Sequence, residues 1–314
     1  MESAALNARF GGRLLFKLDA MQVGGAFKFR GALNAILGGF DARFAGVVAF
    51  SSGNHAIAVS TAAALMDIPA IIVMPGDAPR TKVDQTCANG AEVVLYDRER
   101  DDRAAIGAEV VRERGYQLIA PFDNPFVIAG QGTVALEMVE QAGALDARLD
   151  ALAIPCSGGG LAAGCALALS GVSPSARVTT VEPEGFDDMA RSLEGTTVYR
   201  NTRLSGSICD ALLSNAPGEL TLPILRRHGA DGVSVTDEAV LAAMHEAWRS
   251  LKVVLEPGGA TALAAVPVRP PPRRGSHPRH RLQRRQCRRA DVHARAWPAS
   301  LRRSWDQTKR PPTG

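Results

Sequence analysis

The sequence predicts an α/β fold made of two doubly wound units, each built on a parallel sheet. Short apolar runs alternate with helix-like, alanine-rich stretches between residues 46 and 120, and the alternation resumes after Pro125. This alternation is typical of βαβ units, in which crossover helices join parallel strands. With 314 residues, of which 46% are hydrophobic, the chain can bury the core of one or two domains. Because ligands of such folds bind at the carboxyl ends of the strands, the turns that follow the strands are candidate sites.

Each predicted element rests on a local pattern of apolar and polar residues. In the first series we expect strand 47–50, helix 56–66, strand 70–74, helix 81–88, strand 93–96 and helix 104–112. In the second series we expect helix 132–141, strand 152–154, helix 162–169 and strand 178–181. Two polar or glycine-rich turns, at 51–55 and 155–161, connect a strand to a helix.

One lysine stands among small residues, in the run Gly24-Gly25-Ala26-Phe27-Lys28-Phe29-Arg30-Gly31-Ala32. A partly desolvated lysine amine forms a Schiff base with an aldehyde, and pyridoxal phosphate then supplies the electron sink for amino-acid carbanion chemistry. The small neighbours leave room for a flat ring, and Phe27 is placed to cover one edge of it. The alternative is that Lys28 is the solvated start of a helix.

The turn Ser51-Ser52-Gly53-Asn54-His55 follows a predicted strand and precedes a predicted helix. Free backbone N–H groups at a helix N-terminus hold a carboxylate or phosphate by hydrogen bonds and by the helix dipole. A plain N-cap of serine and asparagine explains the same residues.

The turn Pro155-Cys156-Ser157-Gly158-Gly159-Gly160-Leu161 has the same position in the second series. Consecutive glycines let the backbone approach a ligand closely, so that successive N–H groups can surround a phosphate. The turn has neither the ending of a P-loop nor the spaced glycines of a dinucleotide turn. An ordinary strand-to-helix loop is the alternative.

In this order and at these separations, the three segments resemble the fold-type II pyridoxal-phosphate enzymes, in particular the threonine/serine dehydratase and serine racemase branch. The resemblance runs from about Glu2 to about Val266. It includes the further motifs Ile72-Val73-Met74-Pro75, Gly90-Ala91-Glu92-Val93, Val127-Ile128-Ala129-Gly130-Gln131-Gly132-Thr133 and Glu256-Pro257-Gly258-Gly259-Ala260. It implies two domains of the tryptophan synthase β-subunit-like type: a large cofactor-binding domain of residues 1–44 and 124–266, and a small inserted domain of residues 45–123.

The resemblance also implies a role for each residue of the turns. Lys28 would bind the coenzyme aldehyde and remove the substrate α-proton, Phe27 would lie against the pyridine ring, and Asn54 would bond the ring hydroxyl. Five residues would bind the phosphate: Ser157, Gly158, Gly159, Gly160 and Leu161. Three would receive the substrate carboxylate: Ser51, Asn54 and His55. Ser52 would act on the opposite ring face, where proton transfer permits racemisation.

The activity implied by the resemblance is that of an ammonia-lyase, which converts L-threonine or L-serine to a 2-oxo acid and ammonia. Serine racemase and 3-hydroxyaspartate dehydratase are alternatives. From the same resemblance we expect a homodimer, and we expect a role in amino-acid metabolism.

A divalent-ion site is implied by the run Glu182-Pro183-Glu184-Gly185-Phe186-Asp187-Asp188. Family members with such an ion use a glutamate, a carbonyl four residues on and an aspartate six residues on, which here are Glu182, Phe186 and Asp188. Oxygen ligands suit Mg²⁺ or Ca²⁺. A solvated acidic loop is the alternative.

Composition excludes several classes of protein. No apolar run reaches the length of a membrane span, and the first residues lack the basic-then-apolar pattern of a secretory signal, so we expect a cytoplasmic enzyme without a membrane partner. The five cysteines show no Cys-x-x-Cys spacing, so neither zinc nor a disulfide framework is indicated.

The composition changes at about Pro267. Residues 267–314 hold 13 Arg, 1 Lys and 2 Asp, a net charge of +12, whereas the whole chain carries +4 and the first 266 residues carry −8. This Arg/Pro-rich tail is predicted to be disordered. A nucleic-acid or acidic-membrane tether is one interpretation.

We favour a reading-frame shift as the origin of the tail, and therefore expect no specific nucleic-acid partner. In a permitted back-translation, reading residues 283–288 one base later gives Ser-Gly-Gly-Asn, which resembles the family's C-terminal motif whose serine bonds the pyridine nitrogen. The resemblance likewise implies an amino end shorter than is usual in the family. An inactive pseudoenzyme that lacks the C-terminal motif is therefore a further alternative.

Overall fold

The computed structural model describes residues 1–51, 53–97, 100–101, 103–203 and 205–266. The tail 267–314, with its predicted disorder and altered frame, lies outside the described residues. Within the described ranges no helix is both long and apolar enough to cross a membrane.

The chain alternates strands and helices, as the sequence predicts. In the first part the elements are α1 (Ala4–Phe10), α2 (Lys28–Gly39), β1 (Gly46–Phe50), α3 (Asn54–Leu65), β2 (Ala70–Pro75), α4 (Arg80–Ala88), β3 (Glu92–Tyr96), α5 (Arg103–Arg114) and β4 (Tyr116–Leu118). In the second part they are α6 (Pro125–Gly143), β5 (Ala151–Pro155), α7 (Gly160–Val172), β6 (Arg177–Pro183), α8 (Asp188–Glu194), α9 (Thr221–Arg227), β7 (Asp231–Val235), α10 (Asp237–Glu246) and α11 (Pro257–Ala264). The segments 19–21, 23–25 and 210–212 form short 3₁₀ turns, and 247–251 form a π-turn after α10.

The strands form two parallel sheets. The first has the order β3-β2-β1-β4, with Val48 beside Ile71 and Ile72 beside Val93, and the second has the order β5-β6-β7, with Val181 beside Val233. All of β2 and most of β1 are buried, as expected of strands covered by helices on both faces. The α/β class with parallel sheets is therefore confirmed.

The predicted elements are all present, with shifted ends. The largest shift is at α6, which begins at Pro125 rather than at residue 132, because Asn124 caps it. The Asn124 side-chain oxygen accepts from the backbone N–H groups of Phe126 and Val127 at 2.9 and 3.0 Å, and Pro125 occupies the first helical position, where its missing N–H has no cost.

The two sheets fall in the ranges predicted for the small and large domains. Up to residue 266 the described chain packs as one compact unit, so the boundaries at residues 44 and 124 stay a prediction. What the fold establishes is that the turn after β1 and the turn after β5 each lead into a helix from the carboxyl end of a parallel strand.

Candidate active site

Lys28 is the first residue of α2, and its side chain is half-buried. Its Nζ donates to the carbonyl oxygen of Pro121 at 2.7 Å and lies 5.3 Å from the centre of the Phe27 ring. Burial lowers the pKa of the Lys28 amine from 10.5 to about 8. Lys28 therefore does begin a helix, as the alternative predicts, but its amine is not solvated as that alternative expects. The lowered pKa increases the fraction of the neutral, nucleophilic amine near neutral pH.

An ion network fixes the start of α2. Arg30, whose side chain is only 9% exposed, donates to both carboxylate oxygens of Asp19 and to both of Glu137, at 2.6–3.1 Å. These bonds hold the pKa of Glu137 at about 2. Because Glu137 lies on α6, its bidentate pair with Arg30 clamps α2 to α6 two residues beyond Lys28, and the pair with Asp19 joins α2 to the 3₁₀ turn 19–21.

The turn after β1 presents both side chains and backbone donors. The Ser51 hydroxyl accepts from the Gly53 N–H at 3.1 Å, and α3 begins at the next residue. No described residue accepts from the backbone N–H groups of Asn54 or His55. The Asn54 side chain donates from Nδ2 to Oε1 of Glu256 at 2.7 Å. Ser52 lies outside the described residues.

The His55 ring is almost completely buried, with 3% exposure. Its Nε2 lies 2.9 Å from the carbonyl oxygen of Ile119, and a carbonyl only accepts, so Nε2 carries the proton. Burial, and secondarily the charge of Lys28, lowers the pKa of His55 to about 3. The imidazole is thus neutral, and in the described part of the chain its Nδ1 has no partner. His55 can donate to a substrate carboxylate only from its backbone N–H.

The turn after β5 is packed so tightly that only glycine fits. A methyl group added at Gly158 would lie 2.5 Å from the Phe122 ring, and one at Gly160 would lie 2.9 Å from the Phe122 Cα. Gly159 has φ +93°, which side chains disfavour. The Gly158 carbonyl accepts from the Thr221 hydroxyl at 2.6 Å and from the Gly218 N–H at 3.1 Å. Among the residues described, none accepts from the backbone N–H groups of 157–161.

One short segment, residues 119–124, joins these parts. Its Ile119 and Pro121 carbonyls accept from His55 and Lys28. The Phe122 ring packs on the glycine turn, and the Asp123 carboxylate accepts from the backbone N–H groups of residues 219 and 220 at 2.8 and 2.9 Å. Phe27 and Leu161 both pack against one apolar cluster, which includes Ile128, Ile154 and Leu169. The predicted coenzyme lysine and phosphate turn are therefore brought together.

This arrangement fits a phosphorylated aldehyde. The glycine turn leaves no volume for a side chain at Gly158, Gly159 or Gly160. It offers N–H groups without a described acceptor at the start of α7, a helix of 13 residues, which is the usual way to bind a phosphate. The Lys28 amine, whose pKa is lowered, donates to the Pro121 carbonyl, and the ring of the next residue, Phe122, packs on the glycine turn.

The predicted metal ligands are buried together near the start of α8. Glu182, Phe186 and Asp188 are each 0% exposed. The Glu182 carboxylate accepts from the N–H groups of residues 189 and 190 at 2.9 and 2.7 Å, and the Asp188 carboxylate accepts from Asn201 and Ser214. Burial raises the pKa of Glu182 well above its usual value and that of Asp188 to about 6. The described ranges contain no group of three or more His, Cys, Asp or Glu side chains that could hold a metal.

Several residues of the site were missed in the sequence. Pro121, Phe122 and Thr221 act through a carbonyl, a ring face and a hydroxyl supplied from distant positions, and no local pattern marks them. Glu256 belongs to the motif Glu256-Pro257-Gly258-Gly259-Ala260, which is part of the family resemblance. The motif marks this position but does not indicate that its side chain contacts Asn54.

A parallel α/β fold in which a lysine of lowered pKa lies near a glycine turn at a helix N-terminus is typical of coenzyme-dependent enzymes of amino-group chemistry. The chain belongs to the pyridoxal-phosphate dependent enzyme family, whose model matches residues 1–274. This confirms the resemblance found in the sequence.

Individual relatives are similar to this chain over most of its length. The chain is 43% identical over 268 residues to L-threo-3-hydroxyaspartate ammonia-lyase of Saccharomyces cerevisiae, covering 85% of this chain and 80% of that protein. It is 42% identical to serine racemase of Arabidopsis thaliana, covering 85% and 79%. Among solved structures, maize serine racemase has a TM-score of 0.80 at 40% identity, covering 85% and 79%. The serine racemase of Dictyostelium discoideum has a TM-score of 0.78 at 36% identity, covering 85% and 84%.

Proposed function

We propose that this chain is an ammonia-lyase that converts L-threonine or L-serine to a 2-oxo acid and ammonia. The observation that carries the proposal is the position of the Lys28 amine, whose pKa is lowered. It donates a hydrogen bond to the carbonyl of Pro121, and the ring of the next residue, Phe122, packs on the glycine turn. A second substrate candidate, 3-hydroxyaspartate, is favoured by the similarity to L-threo-3-hydroxyaspartate ammonia-lyase.

The residues divide the work of holding the coenzyme. The N–H groups of 157–161 would bind the phosphate, Phe27 would flank the ring, Asn54 would donate to the ring hydroxyl, and Lys28 would bind the aldehyde carbon. When bound, pyridoxal phosphate supplies an electron sink for charge that develops at the substrate α-carbon.

The remaining steps belong to this chain's own groups. The backbone N–H groups of Asn54 and His55, at the positive end of α3, would receive the substrate carboxylate, with Ser51 beside them. Lys28 in its neutral form would accept the α-proton at Nζ, and the pKa of about 8 keeps that form accessible. The balance between elimination and racemisation would rest on Ser52.

The proposal is tested by spectra and product assays on the full chain supplied with pyridoxal phosphate. Wild type should show the visible absorption of lysine-bound pyridoxal and release 2-oxo acid and ammonia. Lys28→Ala and Lys28→Arg should lose both, since neither side chain forms the bond, while Lys252→Gln serves as the matched control that keeps both. Assays over threonine, serine and 3-hydroxyaspartate rank the substrates, and chiral analysis of serine detects racemisation.

Bound coenzyme without 2-oxo acid from any of the three substrates would contradict the lyase assignment. D-serine as the only product would favour the racemase, and neither activity in the loaded protein would favour the pseudoenzyme.

We also propose that Glu182, the Phe186 carbonyl and Asp188 hold Mg²⁺ or Ca²⁺. Both carboxylates are buried, and no cationic side chain of the described residues pairs with either of them. Burial favours their neutral forms, and a bound cation would supply the partner that their charged forms lack. Adding Ca²⁺ or Mg²⁺ to chelator-treated protein should raise the thermal midpoint, in Glu194→Gln as in wild type but not in Glu182→Gln. An unchanged midpoint in wild type would contradict the site.

A further inference from the structure

Glu256 stands at the N-cap of α11, but its carboxylate makes no hydrogen bond to that helix. Its Oε1 instead accepts from Nδ2 of Asn54 at 2.7 Å, across 202 residues of sequence. Asn54 is the first residue of α3. The bond therefore joins the starts of two helices from distant parts of the chain, and it does so at the residue proposed to meet the coenzyme ring.

The bond determines which way the Asn54 amide faces. A carboxylate only accepts hydrogen bonds, so it requires the amide nitrogen, and not the amide oxygen, on the side of Glu256. The same nitrogen carries a second N–H, which remains available to another acceptor. An amide without such a partner can turn over and present its oxygen instead.

Because the Glu256 carboxylate is charged and only accepts hydrogen bonds, it favours one of the two orientations of the Asn54 amide. A hydrogen bond to a carboxylate is about twice as strong as one between neutral groups. A glutamine at position 256 would accept from Asn54 through its oxygen or donate to it through its nitrogen, so both orientations of Asn54 would be permitted. The location beside the positive end of α3 also stabilises the carboxylate.

We propose that Glu256 is a positioning residue that acts through Asn54, holding its amide so that an N–H faces the hydroxyl oxygen of the coenzyme ring. This inference rests on the proposed function, in which Asn54 bonds that oxygen. It predicts that Glu256 contributes to coenzyme affinity only while Asn54 is present.

A double-mutant cycle on the full chain tests the proposal. Wild type, Asn54→Ala, Glu256→Ala and the double variant are stripped of coenzyme and titrated with pyridoxal phosphate, with binding followed by visible absorbance. Glu256→Ala should weaken binding about three- to tenfold, the value of one hydrogen bond. The double variant should bind as Asn54→Ala alone does.

Two further readouts separate positioning from a general loss of structure. Glu256→Gln should weaken binding less than Glu256→Ala, and it should move the pH at which the bound coenzyme changes its visible spectrum, because the ring hydroxyl loses a fixed donor. Glu109→Gln, an exposed glutamate on α5 with the same change of charge, should leave affinity and spectrum unchanged.

Unchanged affinity in Glu256→Ala, or an equal loss with and without Asn54, would overturn the inference. Should Glu256→Ala fail to fold, Glu256→Gln decides the matter, and an unmoved spectral titration overturns the inference. Failure of wild type to bind the coenzyme is a different result, since it would overturn the proposed function together with this inference.

Discussion

The turns 51–55 and 157–161 occupy equivalent positions in the two sheets but are built in opposite ways. Each follows a parallel strand and opens a helix with N–H groups for which the described residues provide no acceptor. The first turn keeps polar side chains and open space, since the nearest atom to a methyl group added at Gly53 is the Lys82 amine at 3.5 Å. The second turn has no room for a side chain at Gly158, Gly159 or Gly160. A packed backbone cradle suits one invariant phosphate, whereas a turn with side chains can distinguish substrates.

The comparison is tested most strongly by adding one methyl group to each turn. Gly159→Ala places a side chain at φ +93° and 2.5 Å from the Met189 side chain, so we expect a loss of about 2–4 kcal/mol in unfolding free energy and at least about tenfold weaker coenzyme binding. Gly53→Ala should cost about 1 kcal/mol or less. Urea unfolding and coenzyme titration measure both, and equal losses would refute the contrast.

The buried His55 imidazole at the first turn makes the stability of the protein sensitive to acid. The folded chain binds a proton at His55 only near its pKa of about 3, whereas the unfolded chain binds it at about 6.5. As the pH falls from about 6.5 towards 3, the unfolded state therefore gains a proton that the folded state does not, and stability is lost, by up to about 1.4 kcal/mol per pH unit.

His55→Gln should accordingly show a shallower fall in unfolding free energy between pH 6.5 and 4.5 than wild type. Thr221→Val, which alters the support of the glycine turn, should keep the wild-type slope. Identical slopes in all three proteins would show that His55 is not buried in its neutral form.

The support of the glycine turn can be weakened without filling it. The buried Thr221 hydroxyl donates to the Gly158 carbonyl at 2.6 Å, so Thr221→Val should cost about 1–2 kcal/mol in unfolding free energy and a few-fold in coenzyme affinity, with little change in substrate KM. Ser170→Ala, which removes an exposed hydroxyl bond on α7, is the control. A change confined to substrate KM would contradict the assignment of this turn to the coenzyme.

The smallest effect is expected at the open turn. The Lys82 amine lies beside Gly53 and has no hydrogen-bond partner among the residues described, so it adds positive charge where the substrate carboxylate would bind. Lys82→Gln should raise substrate KM about two- to fivefold, the usual value of an exposed charge pair, and leave coenzyme affinity unchanged. Lys82→Arg should restore most of the loss, and weakened coenzyme binding would place this charge at the other turn.

The sequence was informative where function is local. Lys28, the turn 51–55 and the turn 157–161 can each be recognised within a few residues, because a strand, a turn and a helix follow one another directly. The short strands β4 and β7 were not predicted, since three and five residues without strict alternation give little signal.

The contacts that assemble the site could not be read in the same way. The bond between Lys28 and Pro121 spans 93 residues, and the bond between Asn54 and Glu256 spans 202. Such pairings depend on how the two sheets pack, and periodicity within one element carries no information about them. The motif at Glu256 marked a position without saying which side chain it meets.

The segment 119–124 has a consequence for which changes of length the chain tolerates. Connections between strands and helices usually accept insertions. Here the carbonyls of Ile119 and Pro121, two residues apart, serve the imidazole and the amine, while Phe122 seals the glycine turn. Inserting a single residue after Ile119 would shift the carbonyl that accepts from Lys28 relative to the carbonyl that accepts from His55. It would also move the Phe122 ring away from the glycine turn. This connection is thus as fixed in length as a strand within a sheet.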